Sequence, residues 1–296
     1  MNLCLIDGNA LAHRAFFGTS PLHRSDGFPV NAVYGYSQML WSLLYEKPIS
    51  PPPTHVVVIF DHPSKDTFRH RLWPAYKANR KAKSEDLLMQ LPAIEQATTA
   101  FGLPWAKVEG VEADDVIASY VAEIKRSYHV ASKVVMVTYD KDLMQLITNN
   151  CQMLKITKRE WVGPQEVYAR FGVRPDQIGD ALALIGDDAD TVPGVPTIGE
   201  KKAGQLLAVF GNLEGVICNA AKVKWPATRD ALVSHGQRAR VARQLITLKD
   251  DEPLPVQLDD CRFSGTLDAK PLLNFFHSME FVSMSAAVTE RLNAEA

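Results

Sequence analysis

No stretch of the 296 residues approaches the roughly 20 consecutive apolar positions that a bilayer-spanning helix needs, so a membrane span is excluded. The first residues carry no basic run and reach Asp7 almost at once, which excludes a secretion signal and makes the cytosol the expected compartment. Cysteine is scarce and scattered. Cys4, Cys151, Cys218 and Cys261 form no C-x-x-C pair, so neither a zinc site nor a disulfide framework is indicated. There is no internal repeat, and no Ser/His/Asp arrangement for nucleophilic catalysis. His13, beside Arg14 in an expected loop, is either a phosphate contact or, as preferred, without a role. The cationic excess usual in nucleic-acid-binding chains is also missing, with 32 basic against 34 acidic residues. What the chain does have is a hydrophobic content of 46%, ample for a core. At roughly 100–200 residues per domain, its length suggests two domains.

The charge balance hides segregation along the sequence. Three short apolar runs rich in β-branched residues, 3–6, 55–60 and 133–138, lead to Asp7, Asp61 and Asp140. They read as buried parallel strands. Helical spacing over about 30–45, 85–101 and 113–125 lies between them, so the first half is expected to be α/β with a mainly parallel sheet flanked by helices. Ligands of such sheets sit beyond the carboxyl ends of the strands, where the three aspartates converge. From about 164 onward the pattern is helical, over 164–171, 175–185, 200–210 and 228–248, and the domain boundary is placed at 162. The expected units are 1–162 and 163–296, the second expected to be helical.

Nine carboxylates fall in five short motifs: Asp7; Asp61; Glu112, Asp114 and Asp115; Asp140 and Asp142; Asp187 and Asp190. Any one of them suits a turn or a helix N-terminus. Together, aimed at one end of one sheet, they would repel one another and raise each other's pKa unless a cation neutralised them. Hard oxygen donors without paired Cys or His favour Mg²⁺, with Mn²⁺ as substitute, over zinc. Nine acids suit two or more ions, which at a spacing of about 3.5–4 Å polarise a phosphodiester and activate water. The chemistry indicated is phosphodiester hydrolysis.

Between 62 and 83 lie Lys65, Arg69, Arg71, Lys77, Arg80, Lys81 and Lys83 against one acid, Asp66, interleaved with Phe68, Trp73 and Tyr76. Cations for phosphates and rings for unstacked bases are the pairing that holds single strands. Setting the nine clustered acids aside leaves the rest of the chain at +7, a basic face beside an acidic pit. Further on, residues 193–203 form a glycine-punctuated turn that opens a helix. Gly194 and Gly199 could expose backbone N–H groups to a phosphate there, with Lys201 and Lys202 adding charge.

These motifs, in this order, resemble the bacterial and phage 5'→3' exonuclease and flap endonuclease family, which includes the 5'-nuclease domain of bacterial DNA polymerase I. The matches are Ile-Asp-Gly-Asn at 6–9, Phe-Asp at 60–61, Phe-Arg at 68–69, Tyr-Lys-Ala-Asn-Arg at 76–80 and Gly-Val-Glu-Ala-Asp-Asp at 110–115. Asp-Lys-Asp at 140–142 and the run from Gly186 to Lys201 complete them. The resemblance implies a PIN-like (resolvase-like) nuclease domain, a basic helical arch over about 62–84, and a helix-3-turn-helix element on duplex DNA. It implies a first metal among Asp7, Asp61, Glu112, Asp114 and Asp115, and a second among Asp140, Asp142, Asp187 and Asp190. Arg69, Tyr76, Lys77 and Arg80 would stand at the arch base and steer the scissile phosphate, with Lys81 and Lys83 on the DNA. Backbone carbonyls at Pro193, Val195 and Ile198 would hold K⁺.

The implied activity is two-metal hydrolysis of DNA, both 5'→3' exonuclease and 5'-flap endonuclease, in replication and repair. The partner would be DNA with 5' ends, flaps or branches, and the enzyme a monomer. No polymerase follows, so the chain is expected to act alone or as a fragment. Tyr139 departs from the small residue usual before Asp-Lys-Asp, and is expected to crowd the second metal or shape substrate entry. Asp188 and Thr191 replace the common Ser and Asn. Two rivals differ in kind. A compact PIN-type ribonuclease would lack both the arch and the helix-3-turn-helix, and a noncatalytic binder of branched DNA would not need nine acids.

Overall fold

In the computed structural model, which describes residues 1–46, 48–64, 66–80, 84–127 and 132–295, a six-stranded sheet has the order β3-β2-β1-β4-β5-β6. The strands are β1 (Asn2–Asp7), β2 (His55–Asp61), β3 (Trp105–Val108), β4 (Lys133–Val137), β5 (Cys151–Lys155) and β6 (Glu160–Val162). The first five run parallel and β6 pairs antiparallel to β5. Alternation along each strand sends side chains to two cores. Leu3, Leu5, Val57, Ile59, Val134 and Met136 face one; Cys4, Ile6, Val56, Val58, Val135 and Val137 face the other. Burial on both faces is why the strands read as unbroken apolar runs.

In the first half the helices are α1 (Gly8–Gly18), α2 (Asn31–Tyr45), α3 (Phe68–Leu72), α4 (Glu85–Ala100) and α5 (Ala113–Ser127). Then come α6 (Pro164–Phe171), α7 (Ile178–Ile185), α8 (Glu200–Phe210), α9 (Leu213–Cys218), α10 (Pro226–Ile246), α11 (Ala269–Ser278) and α12 (Val282–Glu295). The core under α5 continues without a break into Phe171, Leu182, Leu207 and Leu245 of the helical half. On the opposite face α1, α2 and α4 meet Phe276, Met284 and Val288, so the last two helices pack back onto the sheet unit.

Several elements differ from expectation. His13 and Arg14 lie on α1, not in a loop; Asp7 caps that helix by accepting the Ala10 N–H at 2.8 Å. Strands β3, β5 and β6 and helices α9, α11 and α12 carried too little periodic signal to be anticipated. The expected arch is helical only over Phe68–Leu72 among the described residues, and Lys65, Lys81 and Lys83 lie outside them.

Candidate active site

The chain places β2 and β3 on one side of β1, then crosses to β4 and β5 on the other. The order therefore reverses between β1 and β4, and a crevice opens at their carboxyl ends. Asp7 ends β1, and Thr138, just past β4, donates its hydroxyl to Asp7 Oδ2 at 2.8 Å across that crevice. Asp61 ends β2 and accepts the Ala113 N–H at 2.9 Å, which fixes the start of α5. Asp114 in the first turn of α5 and Asp140 beyond β4 complete the group. Asp140 accepts the Asp142 N–H at 2.8 Å, turning the chain so that both carboxylates face inward.

These acids feel one another. Burial, and the charges of Asp61 and Asp140, push the Asp7 carboxyl up to about 7 against the backbone and Thr138 hydrogen bonds that favour its ionised form. Burial and the charges of Asp140, Asp187 and Asp190 push Asp142 up to about 8, with Lys141 opposing. Asp114 is raised well above the usual carboxylate range by burial and by Asp140, Asp7 and Asp61. Asp140 is raised too, by burial first and by Asp190. Glu112 moves the other way: burial opposes its ionisation, but Lys77 and Arg69 overcome it.

Acids raised in the folded state contribute stability that is complete below about pH 3.9, their unfolded value, and lost as pH rises through their folded values. With a chelator present, the melting temperature is therefore expected to fall as pH is raised from about 5 to about 8, the range that ends at the Asp7 and Asp142 values. A divalent cation should remove that slope. Scanning calorimetry at several pH values, with and without Mg²⁺, checks both.

Four of the predicted acids are held by cations. Lys77 Nζ lies 2.6 Å from Glu112 Oε2, and the Tyr76 hydroxyl donates to the same oxygen at 3.2 Å. Arg80 pairs with Asp190 at 2.6 Å and Lys141 with Asp187 at 3.0 Å. Arg69 makes a two-pronged pair with Asp115 at 2.6 and 2.7 Å, both residues fully enclosed. As the side chains stand, no three His, Cys, Asp or Glu among the described residues are gathered to enclose an ion. The donor set nonetheless fits a hard divalent cation. It is all oxygen, it lines one crevice, and its mutual repulsion is what such a cation would relieve.

The loop bearing Asp187 and Asp190 comes from the helical half. It is closed by paired backbone hydrogen bonds between Asp187 and Val192 at 2.8 and 2.9 Å. The segment after α3 docks on it. Lys77 N–H donates to Asp190 O at 2.9 Å, and Trp73 Nε1 to Thr191 O at 3.2 Å. Lys77 and Thr191 both hold left-handed backbone at φ 57°, a conformation that costs a side-chain-bearing residue of order 1 kcal/mol and gathers at functional sites.

Three expectations change. Arg69, expected to steer phosphate, is buried and bonds Leu245 O at 2.7 Å and Thr247 O at 3.2 Å besides Asp115, with Nη1 3.8 Å from Glu112 Oε2, so its guanidinium is committed to partners within the fold. Asp115 also accepts the Lys249 N–H at 2.9 Å and is a structural anchor, unlike Asp114 beside it, because adjacent helical positions point about 100° apart. Phe68, Trp73 and Tyr76, expected as base platforms, have partners within the protein: Lys249 sits over the half-buried Phe68 ring at 4.6 Å, the half-buried Trp73 donates to Thr191 O, and Tyr76 is buried.

Tyr139 turns away from the acids. Its hydroxyl donates to Thr157 Oγ1 at 2.8 Å and accepts the Thr157 N–H at 3.0 Å, so it does not crowd Asp142.

In the turn between α7 and α8, Gly194 is explained by packing, since a Cβ there would stand 2.2 Å from Ile185 O. Gly199 precedes α8 with open space around it, and Lys201 is exposed. Lys202 Nζ instead donates to Thr197 O at 2.8 Å. The Val195 and Ile198 side chains are buried, and the Val195 carbonyl already accepts the Ile198 N–H at 3.2 Å. Lys141, which no motif argument had singled out, was missed because its partner Asp187 is distant in sequence.

A family model for the 5'-3' exonuclease N-terminal resolvase-like domain matches residues 2–172, and one for the 5'-3' exonuclease C-terminal SAM fold matches residues 173–269. DNA polymerase I of Rhizobium leguminosarum is 39% identical over 299 aligned positions; the match takes in 100% of this chain and 29% of that protein. A 5'-3' exonuclease of Aquifex aeolicus is 38% identical, covering 74% of this chain and 73% of its own. A structure of T5 5'-exonuclease with divalent metal ions (zinc) bound superposes with a TM-score of 0.66 at 22% identity, over 95% of this chain and 99% of that one. That likeness establishes the fold.

Proposed function

The chain belongs to the 5'-3' exonuclease family, and on that footing we propose that it is a divalent-metal-dependent 5' nuclease that hydrolyses DNA phosphodiesters from 5' ends and at the base of 5' flaps. The observation that carries this reading is the convergence of Asp7, Asp61, Asp114 and Asp140 on one crevice, close enough that burial and mutual repulsion raise the carboxyls of Asp7, Asp114 and Asp140. Asp7, Asp61, Glu112 and Asp114 would hold one Mg²⁺, and Asp140, Asp142, Asp187 and Asp190 a second. When bound, such ions polarise the scissile phosphodiester and lower the pKa of a ligated water.

The rest of the work falls to the chain itself. Lys77 and Arg80 project into the mouth of the crevice from a segment pinned by Trp73 and the Lys77 N–H. A phosphate arriving there offers them oxygens in place of Glu112 and Asp190, and so is drawn over the acids. Catalysis is assigned to 1–162 and duplex grip to 163–296, with Gly199 and Lys201 at the start of α8 on the phosphate backbone. The family models meet ten residues later, between 172 and 173.

The test is cleavage of a 5'-labelled flapped duplex with Mg²⁺, beside EDTA and a matched single-stranded RNA. Metal-dependent cutting of DNA near the junction is expected; cutting of the RNA alone would overturn the reading. Lys77→Ala or Arg80→Ala should lower turnover by about 10²-fold, the effect of losing one aimed charge at a transition state, without loss of fold.

A further inference from the structure

Beside the acids runs a second polar feature that no motif above accounts for. Because β5 is parallel to β4, its end at Lys155 opens on the same edge of the sheet as Asp140. The chain then makes one tight helical turn, Ile156–Lys158, and Arg159 closes it in left-handed backbone at φ 49°. This turn, α1 and α2 enclose a groove of about 370 Å³ lined by Arg14, Gln38, Ser42, Thr157 and Arg159. Its floor is Gly35, where a Cβ would lie 2.3 Å from Thr19 Oγ1, so a side chain there would fill it.

Tyr139 joins the groove to the crevice. It directly precedes Asp140, its hydroxyl holds Thr157, and the Arg14 guanidinium lies over its ring at 5.5 Å. Among the described residues Arg14 pairs with no carboxylate, and Arg159 is paired only with Glu46 at the rim. Arg14 lies seven residues along α1 from Asp7, about 10 Å at 1.5 Å per residue.

We infer that this groove is a track for the phosphodiester backbone of the DNA strand running past the acids on the β5 side, with Arg14 and Arg159 as its phosphate contacts and Tyr139 as the residue that holds Arg14 in place. The inference rests on the nuclease reading above. Charge selects the occupant: two arginines and the neutral donors Gln38 and Thr157 face one removable acid, Glu46, which takes both Arg159 and the Ser42 hydroxyl. Continuity supports it, since Tyr139, which holds Thr157 and lies under Arg14 of the groove, directly precedes Asp140. The αL backbone at Arg159, adopted at a cost by a long side chain, turns the chain at the end of the groove.

The test measures binding of a labelled flapped duplex, with Ca²⁺ in place of Mg²⁺, at several salt concentrations. Arg159→Gln is expected to weaken binding about 3–10-fold and to reduce the slope of log affinity against log salt by about 1, the mark of one lost phosphate contact. Glu46→Gln should act in the opposite sense and tighten binding about 2–3-fold, a gain that damage to the fold would not give. Arg14→Gln repeats the loss from the other wall, should Arg159→Gln fail to fold. Lys201→Gln, at the start of α8, is the reference for a contact outside the groove. If Lys201→Gln weakens binding while Arg159→Gln, Arg14→Gln and Glu46→Gln leave affinity and salt slope unchanged, the groove is no DNA track and the nuclease reading stands. If the unaltered protein neither binds nor cuts the flapped duplex, both fall.

Discussion

Arg69→Ala is expected to destabilise the protein by about 3–5 kcal/mol, the largest effect on stability of any single charged residue in the first half of the chain. The guanidinium is 3% exposed and ties three separate parts together: α3, which carries it; Asp115 on α5; and the carbonyls of Leu245 and Thr247 at the end of α10. Removing it leaves Asp115, 1% exposed, with both oxygens stripped of their charged partner and only the Lys249 N–H in reach. A buried carboxylate in that state must either protonate or draw water inward, and either course is costly. Urea unfolding measures the loss. Asp115→Asn should cost a comparable amount, and the double variant less than the sum, since the two share one interaction. If Arg69→Ala instead kept full stability and lost only activity, Arg69 would be a phosphate-steering residue after all.

Asp114→Asn is expected to abolish cleavage, a fall of about 10³-fold or more, equivalent to roughly 4 kcal/mol of transition-state stabilisation. The same variant should melt higher than the unaltered protein in EDTA. The two signs have one cause. Asp114 stands half-buried in the first turn of α5, facing the charges of Asp140, Asp7 and Asp61, which together with burial disfavour its ionised form. Asparagine has nearly the same shape and removes the repulsion, so the fold gains. The charge that would hold a cation is lost, so the chemistry fails, the trade between stability and function common at active sites. A normal cleavage rate would remove Asp114 from the site, and an unchanged melting temperature in EDTA would show that the acids do not strain the fold.

The division of labour between sequence and tertiary structure is visible residue by residue. Asp7, Asp61 and Asp140 could be placed together from the sequence because each follows a buried strand, and parallel strands bring their carboxyl ends to one edge whatever their lateral order. The helices 164–171 and 200–210 were equally legible, since Pro164 and Gly199 mark their starts and glycine closes each. Strand β3 was not, because Trp-Ala-Lys-Val is a short edge strand with no fully buried position. Helix α1 was hidden because its first residues, Gly8 and Asn9, are poor helix formers that the Asp7 cap rescues.

What the sequence by itself determined was the kind of chemistry: hard oxygen donors in one crevice, cations nearby, and a glycine-punctuated turn opening a helix. Which acid faces the crevice and which is spent on the fold was decided only in three dimensions. Asp114 and Asp115 are adjacent and chemically identical, yet packing gives Asp115 to Arg69 and leaves Asp114 to its fellow acids. Tyr139 likewise looked obstructive beside Asp140 until the chain after β5 supplied Thr157 to hold its hydroxyl. Such assignments depend on partners far away in sequence, 176 residues in the case of Arg69 and Leu245. Local pattern carries no record of them, because the contact exists only once the helical half has docked on the sheet.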